Sequence, residues 1–179
     1  MKKTTILIAD DHSIVRMGLS ALLGYQPGFK VVGEAEDGEE AVAKATELKP
    51  DIVIMDLVMP KLDGAEATRA IRDKCPDTKV LILTTFGTSA DVARAVSAGA
   101  SGALMKDISN DEFLNALHAV VRGEKVFSQE IEQTVKEEAE VPPLTQRQLE
   151  ILHSVARGLS NAEIARLFGI SMSIPMPGL

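Results

Sequence analysis

The stretch Pro50–Pro60, PDIVIMDLVMP, decides the fold. Its apolar run Ile52–Met55 follows a Pro-Asp boundary, a pattern that predicts a short buried strand. Asp56 stands at the carboxyl end of this strand. Because ligands of open parallel sheets bind beyond the carboxyl ends of the strands, an acid in this place favours a functional role. The alternative is an aspartate that only starts a turn, and the stretch alone leaves both readings open.

The composition predicts a folded cytoplasmic protein. The 179 residues suit one domain of ordinary size with a small second one, or one larger domain. Hydrophobic residues make up 45% of the chain, enough for a packed core. The net charge of -7 argues against nucleic-acid binding by the whole surface, so DNA contact requires a local basic patch. The lone Cys75 excludes an internal disulfide framework, and no stretch resembles a signal peptide or a membrane span.

Strand-like and helix-like segments alternate along the first two thirds of the chain. The predicted strands are 5–9, 29–34, 51–55, 79–84 and 101–105. The predicted helices lie near 12–23, 38–48, 64–74, 88–98 and 109–121, with Asp37, Thr88 and Ser109 as N-caps. This alternation predicts an α/β fold, a five-stranded parallel sheet with helices on both faces. All carboxyl ends of the strands then meet at one edge.

Polar residues follow four of these strands. They comprise three acids, two neighbouring hydroxyls and one ammonium group: Asp10, Asp11, Asp56, Thr84, Thr85 and Lys106. Clustered carboxylates repel one another, and a shared Mg²⁺ bound through carboxylate oxygens and waters neutralises such a group. The metal, the lysine and a threonine hydroxyl together suit the oxygens of a phosphoryl group. The cluster therefore predicts phosphoryl transfer onto a carboxylate.

Residues 1–122 resemble the receiver domain of two-component response regulators. The family's motifs occur in their usual order and spacing as Asp10-Asp11, Asp56, Met59-Pro60, Asp63-Gly64, Thr84, Gly99-Ala100-Ser101-Gly102 and Lys106. Any one of these motifs alone is a weak signal, whereas the joint match is specific. The resemblance implies a CheY-like sheet and phosphorylation by a partner histidine kinase.

The resemblance also implies a role for each matching residue. Asp56 is the expected phosphoacceptor, Asp11 a direct Mg²⁺ ligand, and Asp10 a ligand mainly through water. The backbone carbonyl of Val58 is expected to complete the protein's share of the metal ligands. Lys106 is expected to pair with the phosphate.

Thr84 is expected to bind the phosphoryl group through its hydroxyl. Thr85 is its nearest rival, and the spacing to Lys106 favours Thr84. Each role has a structural alternative. Thr84 could be a β-branched strand residue that serves packing, and Lys106 a solvated loop lysine.

Three positions bear on kinetics and switching. Val58 and Phe86 are apolar where they should flank the phosphoryl group, so neither holds an attacking water, and slow loss of phosphate is predicted. Ala103 stands where the family usually has an aromatic residue. Coupling to the output must then run through backbone shifts of residues 84–90, or be weak.

His12, His118 and His153 lack metal-ligand spacing and are predicted to be surface or packing residues.

The second part of the chain begins after an acidic linker. We place the receiver at 1–124, the linker at 125–143 and a second unit at 144–179. Thr145 and Ser160 are predicted N-caps of two short helices, separated at Gly158 and closed at Gly169. The phrase Leu159–Ala165, LSNAEIA, resembles the LuxR-type helix-turn-helix, which indicates the NarL/FixJ class of response regulators.

The recognition helix of that domain is expected to be missing. Residues 172–179 include Pro175 and Pro177, which are incompatible with a helix entering the major groove. Only three arginines stand against two glutamates in residues 141–179. Specific DNA binding is therefore predicted to be weak or absent.

The leading hypothesis is thus a transcription-regulating response regulator, not an enzyme, that dimerises on phosphorylation. The alternative is a phosphoryl sink or a protein-interaction module without DNA binding. Haloacid-dehalogenase phosphatases need a second acid where Val58 stands. Flavodoxins need a hydroxyl-rich phosphate loop after the first strand, and Rossmann enzymes need a GxGxxG motif after a strand. The negative charges of Asp10 and Asp11 would repel the phosphate that a flavodoxin loop binds. The GxGxxG motif of Rossmann enzymes does not occur in the chain.

Overall fold

The structure is a computed structural model that describes residues 3–85, 89–128, 131–133 and 146–169. The chain divides into two compact units, Met1–Glu140 and Val141–Leu179. The first contains an α/β sheet and the second a pair of short helices. The predicted cap Thr88, Phe86, most of the acidic linker and residues 170–179 lie outside the described residues.

The first unit is built on a parallel sheet with the strand order β2-β1-β3-β4-β5-β6. The strands are β1 Thr4–Ala9, β2 Phe29–Ala35, β3 Ile52–Met55, β4 Lys79–Thr84, β5 Gly102–Met105 and β6 Val126–Phe127. Every residue of β3 is buried, as predicted from its unbroken apolar run. The five predicted strands are confirmed with their ends shifted by at most one residue.

In the part of the first unit that the structure describes, five helices cover the two faces of this sheet. They are α1 Ser13–Gly24, α2 Gly38–Leu48, α3 Gly64–Lys74, α4 Ser89–Ser97 and α5 Asn110–Arg122. The predicted caps Asp37 and Ser109 are confirmed, and Ser109 forms a capping box with Glu112. Alternate residues of each strand enter opposite cores. One core includes Leu7 and residues of α2, α3 and α4, and the other includes Ile6 and residues of α1 and α5.

The sheet has one strand more than the five predicted, although its class is as expected. Val126–Phe127 pairs in parallel with Gly102 and Ala103 at the edge of the sheet. A Cβ atom at position 102 would lie 2.5 Å from the carbonyl oxygen of Val126, so this close approach requires glycine. A two-residue strand is too short to produce the alternation from which strands are predicted.

The second unit contains α6 Gln146–Ala156 and α7 Asn161–Phe168. Ser160 caps α7 through the predicted box with Glu163, and Gly169 ends it in the left-handed conformation. Arg147 Nη2 donates to the carbonyl oxygen of Phe168 at 2.7 Å, which joins the start of α6 to the end of α7. The predicted helix pair is therefore confirmed. The predicted loss of a recognition helix concerns residues outside those described.

Candidate functional site

The carboxyl ends of the four central strands meet as predicted. Asp10 follows β1, Asp56 follows β3, and Lys106 follows β5. The Asp56 N–H donates to the carbonyl oxygen of Ala9 at 2.9 Å, and the Lys106 N–H donates to that of Thr84 at 2.8 Å. The backbone hydrogen bonds of the sheet therefore continue into the site and hold its residues at defined positions.

Lys106 joins two aspartates in a buried cluster. Its Nζ lies 2.6 Å from Asp10 Oδ2 and 3.0 Å from Asp56 Oδ2. Asp10 and Asp56 are only 2% and 4% exposed, and the Lys106 side chain is 11% exposed. One ammonium group thus faces two buried carboxylates, which leaves the cluster with an excess of negative charge.

This environment shifts the pKa of both Asp56 and Lys106. Burial raises the pKa of Asp56 above its ordinary value, and the hydrogen bond and charge of Lys106 offset only part of that effect. Burial alone would lower the pKa of Lys106, but its hydrogen bonds to Asp10 and Asp56 raise it overall. The raised pKa keeps Lys106 an ammonium group at neutral pH.

The oxygens of the site suit a divalent cation. Asp10, Asp11, His12 and Asp56 each offer one ligand atom, and these atoms lie within 4.8 Å of one another. The three carboxylates form the oxygen-rich donor set that hard ions such as Mg²⁺ prefer. Of the three carboxylates, Asp11 is exposed, whereas Asp10 and Asp56 are buried. Val58, whose carbonyl was predicted as a further ligand, is 59% exposed, and that role stays a prediction.

His12 contacts the acidic pair more closely than the sequence indicated. It is exposed at the start of α1 as predicted, and its Nδ1 lies 2.7 Å from Asp11 Oδ1. Its backbone N–H donates to Asp10 Oδ1 at 2.9 Å. The backbone contact fixes the Asp10 carboxylate within the tight turn that leads into α1.

Asp63-Gly64 packs the start of α3 against the site. A Cβ atom at position 64 would lie 2.0 Å from the Asp56 carbonyl oxygen, so only glycine permits this approach. Asp63 caps α3 by accepting from the Glu66 N–H at 2.9 Å, and it pairs with Arg94 of α4 at 2.6 Å. The close approach at Gly64 and the cap at Asp63 explain this two-residue motif, which the sequence showed only as part of a family pattern.

Thr84 and Thr85 differ in burial. Thr84 ends β4 and is completely buried, whereas Thr85 is exposed. Ala103 is completely buried in the core and is aligned with Ile82 and Phe127 of the neighbouring strands. Position 103 therefore holds a packed alanine, which has no aromatic side chain to switch, and Phe127 is its neighbour on the adjacent strand.

The remaining candidates are structural. In a second acidic group, Glu36, Asp37 and Glu40, two of the carboxylates are paired with lysines: Lys61 Nζ lies 2.5 Å from Asp37 Oδ2, and Lys44 Nζ lies 2.7 Å from Glu40 Oε1. The ring of His118 lies 4.9 Å from that of Phe29, a packing contact, and His153 is exposed, as predicted for both.

Arg16 was missed by sequence reasoning. It contacts the backbone of Asp10 from α1. A basic residue in the first turns of a helix that follows the acidic pair is the signal that could have indicated it.

A doubly wound sheet with buried aspartates and a lysine at its strand ends defines the class of phosphoacceptor receiver domains. Residues 6–118 match the model of the response regulator receiver domain, and residues 142–173 match that of bacterial regulatory proteins of the luxR family. The chain belongs to the two-component response regulators with a LuxR-type domain. None of the helices in the described part of the chain combines the length and the apolar composition of a membrane-spanning segment.

Individual relatives agree with this assignment. The chain is 44% identical over 165 residues to the response regulator protein VraR of Staphylococcus aureus, covering 89% of this chain and 79% of VraR. A LuxR-family response regulator from Aurantimonas sp. SI85-9A1 superimposes with a TM-score of 0.70 at 40% identity, covering 77% of this chain and 99% of that one. The RcsB–DNA complex gives 0.80 at 25% identity, covering 95% and 85%.

Proposed function

We propose that this response regulator accepts a phosphoryl group on Asp56 from a sensor histidine kinase, in a reaction that depends on Mg²⁺. The observation that carries the proposal is the buried cluster in which Lys106 lies 2.6 Å from Asp10 and 3.0 Å from Asp56. The excess of carboxylates in this cluster suits a cation. Asp56 supplies the carboxylate nucleophile that phosphorylation would convert to an acyl phosphate. A kinase partner follows from the family.

In the proposed reaction an Asp56 carboxylate oxygen forms a bond to phosphorus. The bond from phosphorus to the imidazole nitrogen of the kinase histidine breaks, and that nitrogen keeps the electron pair. Lys106 Nζ, already 3.0 Å from Asp56 Oδ2, pairs with the developing negative charge, and Thr84 is assigned to bind a phosphoryl oxygen. Asp10, Asp11, Asp56 and the carbonyl of Val58 would hold Mg²⁺, which neutralises charge on the phosphoryl oxygens.

Loss of the phosphoryl group is proposed to be slow. Val58 is an exposed apolar residue two positions after Asp56, so it offers no hydrogen bond to orient an attacking water. Val58→Asn should raise the rate of phosphate loss severalfold, measured as the decay of the phosphorylated species. An unchanged rate would remove Val58 from this account.

The output of the phosphorylated protein is the second part of the proposal. The RcsB structure contains bound DNA, and a related structure contains RcsB dimers on DNA. Homodimer formation on phosphorylation is proposed here by analogy, with DNA binding weakened by the prolines at 175 and 177. The alternative output is that of a phosphoryl sink or interaction module. A gel-shift with tight, sequence-selective binding would rule out the weakened output.

Phosphorylation itself is tested by Phos-tag electrophoresis after incubation with a small phosphoryl donor and with a kinase. A shifted band is expected for the wild type with Mg²⁺. It should be absent for Asp56→Ala and weaker for Asp11→Ala at the same Mg²⁺ concentration. A band of wild-type intensity in Asp56→Ala would contradict the assignment of the phosphoacceptor.

A further inference from the structure

Arg16 connects helix α1, strand β2 and the turn that carries the acidic pair. Its Nη1 donates to the carbonyl oxygen of Asp10 at 2.7 Å. Its Nε lies 3.4 Å from Glu34 Oε2 on β2, and its side chain is only 16% exposed. The guanidinium thus uses two different nitrogens on two partners, a geometry that its rigid planar shape favours.

Glu34 is itself held by its neighbours, so that the contact with Arg16 is fixed at both ends. Ser20 Oγ of α1 donates to Glu34 Oε1 at 2.6 Å. Lys44 Nζ of α2 donates to the carbonyl oxygen of Glu34. Glu34 is aligned with Ile8 of β1, directly beside the strand that leads into Asp10. Arg16 is therefore anchored to the sheet next to the site.

The backbone of Asp10 is constrained on both sides. Its N–H donates to the Ala35 carbonyl oxygen at 3.1 Å, and its carbonyl accepts from Arg16. The Asp10 carbonyl belongs to the peptide group that joins Asp10 to Asp11. A rotation of this peptide group would break the contact with Arg16 and redirect the Asp11 side chain.

We propose that Arg16, anchored by Glu34, is a positioning residue that orients the Asp10–Asp11 peptide group for binding of the divalent cation. This inference rests on the proposed function, because it assumes the cation site at Asp10, Asp11 and Asp56. Arg16 acts through the backbone and does not touch the cation. Partners in this position orient metal ligands, and their loss weakens metal affinity about 10- to 100-fold.

The sign of the effect separates positioning from simple electrostatics. Arg16 carries a positive charge close to a cation site, so removing that charge would by itself strengthen binding of a divalent cation. Loss of positioning weakens binding instead. Lys44 is the matched control, because its Nζ contacts the backbone carbonyl oxygen of Glu34. The Glu34 carboxylate that faces Arg16 accepts a hydrogen bond from Ser20, and that hydrogen bond does not involve Lys44.

The test is binding of Mn²⁺, used in place of Mg²⁺, to the whole chain, with free Mn²⁺ measured by electron paramagnetic resonance. Arg16→Gln should bind Mn²⁺ about tenfold more weakly than the wild type. Lys44→Gln should bind as tightly as the wild type or slightly more tightly. Arg16→Lys preserves the charge but loses the planar fork, so its affinity should fall between those of wild type and Arg16→Gln.

Thermal unfolding of each variant verifies that it is folded before titration, and Arg16→Lys decides the matter if Arg16→Gln does not fold. If Arg16→Lys and Arg16→Gln both bound Mn²⁺ as tightly as the wild type does, the inference would be overturned. The proposed function would remain intact. Failure of the wild type to bind Mn²⁺ more tightly than Asp11→Ala would overturn the cation site and this inference together.

Discussion

The two edges of the sheet carry similar residues in different environments. At the amino edge, Asp51 Oδ2 accepts hydrogen bonds from the N–H and the hydroxyl of Thr5, at 2.7 and 2.8 Å. Lys79 Nζ donates to the carbonyl oxygens of Val120 and Val121, both at 2.8 Å, at the end of α5. A cation at a helix C-terminus is a stabilising arrangement.

The carboxyl edge compensates its charges less completely. Two buried aspartates share Lys106, and the pKa of Asp56 is raised by burial. At the amino edge the charged groups have hydrogen-bond partners that tie strands and helices together. The comparison shows that residue type alone does not separate stability from function. The carboxyl edge is distinguished by two buried carboxylates that share a single cation.

The largest stability effect is expected at the amino edge. Asp51→Ala removes the acceptor of both Thr5 donors, so the free energy of unfolding should fall by about 1.5 to 3 kcal/mol, the usual value of hydrogen bonds to a charged group. Urea denaturation measures the change. Phosphorylation of the folded variant should equal that of the wild type, and a loss of phosphorylation would contradict the division between the edges.

A smaller effect of opposite sign is expected at the carboxyl edge. Asp56→Asn removes a buried charge with a raised pKa and leaves Asp10 to pair with Lys106. Its free energy of unfolding should rise by about 0.5 to 2 kcal/mol, the usual range of a stabilising substitution. The same urea experiment applies. A destabilised Asp56→Asn would show that the charge cluster contributes to stability, as at the other edge.

The smallest change is expected in the pH dependence of that difference. Because the pKa of Asp56 is raised in the folded state, its carboxylate destabilises the fold above that pKa. As pH falls through the folded-state pKa toward the ordinary value of about 4, the carboxyl takes up its proton and the penalty disappears. The stability advantage of Asp56→Asn should therefore be greatest near neutral pH and shrink in acid. If the stability advantage of Asp56→Asn instead grew in acid, the result would contradict the upward shift of the Asp56 pKa.

Much of the carboxyl edge was predictable from the sequence. A short apolar run with an acid after it places Asp56 at a strand end, and the parallel order of strands brings Lys106 to the same edge. The distances within the cluster were not predictable, because they depend on side-chain conformations that strand periodicity does not determine.

Other features depend on packing between distant segments. Arg16 reaches Asp10 only because α1 lies against β2, where Glu34 contacts Arg16 and accepts a hydrogen bond from Ser20 of α1. Val126–Phe127 forms a strand through its pairing with Gly102 and Ala103, and two residues carry no periodic signal. Local patterns predicted the elements well, whereas contacts between elements required the structure.

The central claim is that Asp56, and no other aspartate of either edge, carries the phosphoryl group. The most direct test is to phosphorylate the wild type in the presence of Mg²⁺, reduce the product with borohydride, and map the modified residue by mass spectrometry. Reduction converts an aspartyl phosphate to homoserine. The account predicts homoserine at position 56 alone. Homoserine at Asp10, Asp11 or Asp51, or none with either a small donor or a kinase, would contradict it.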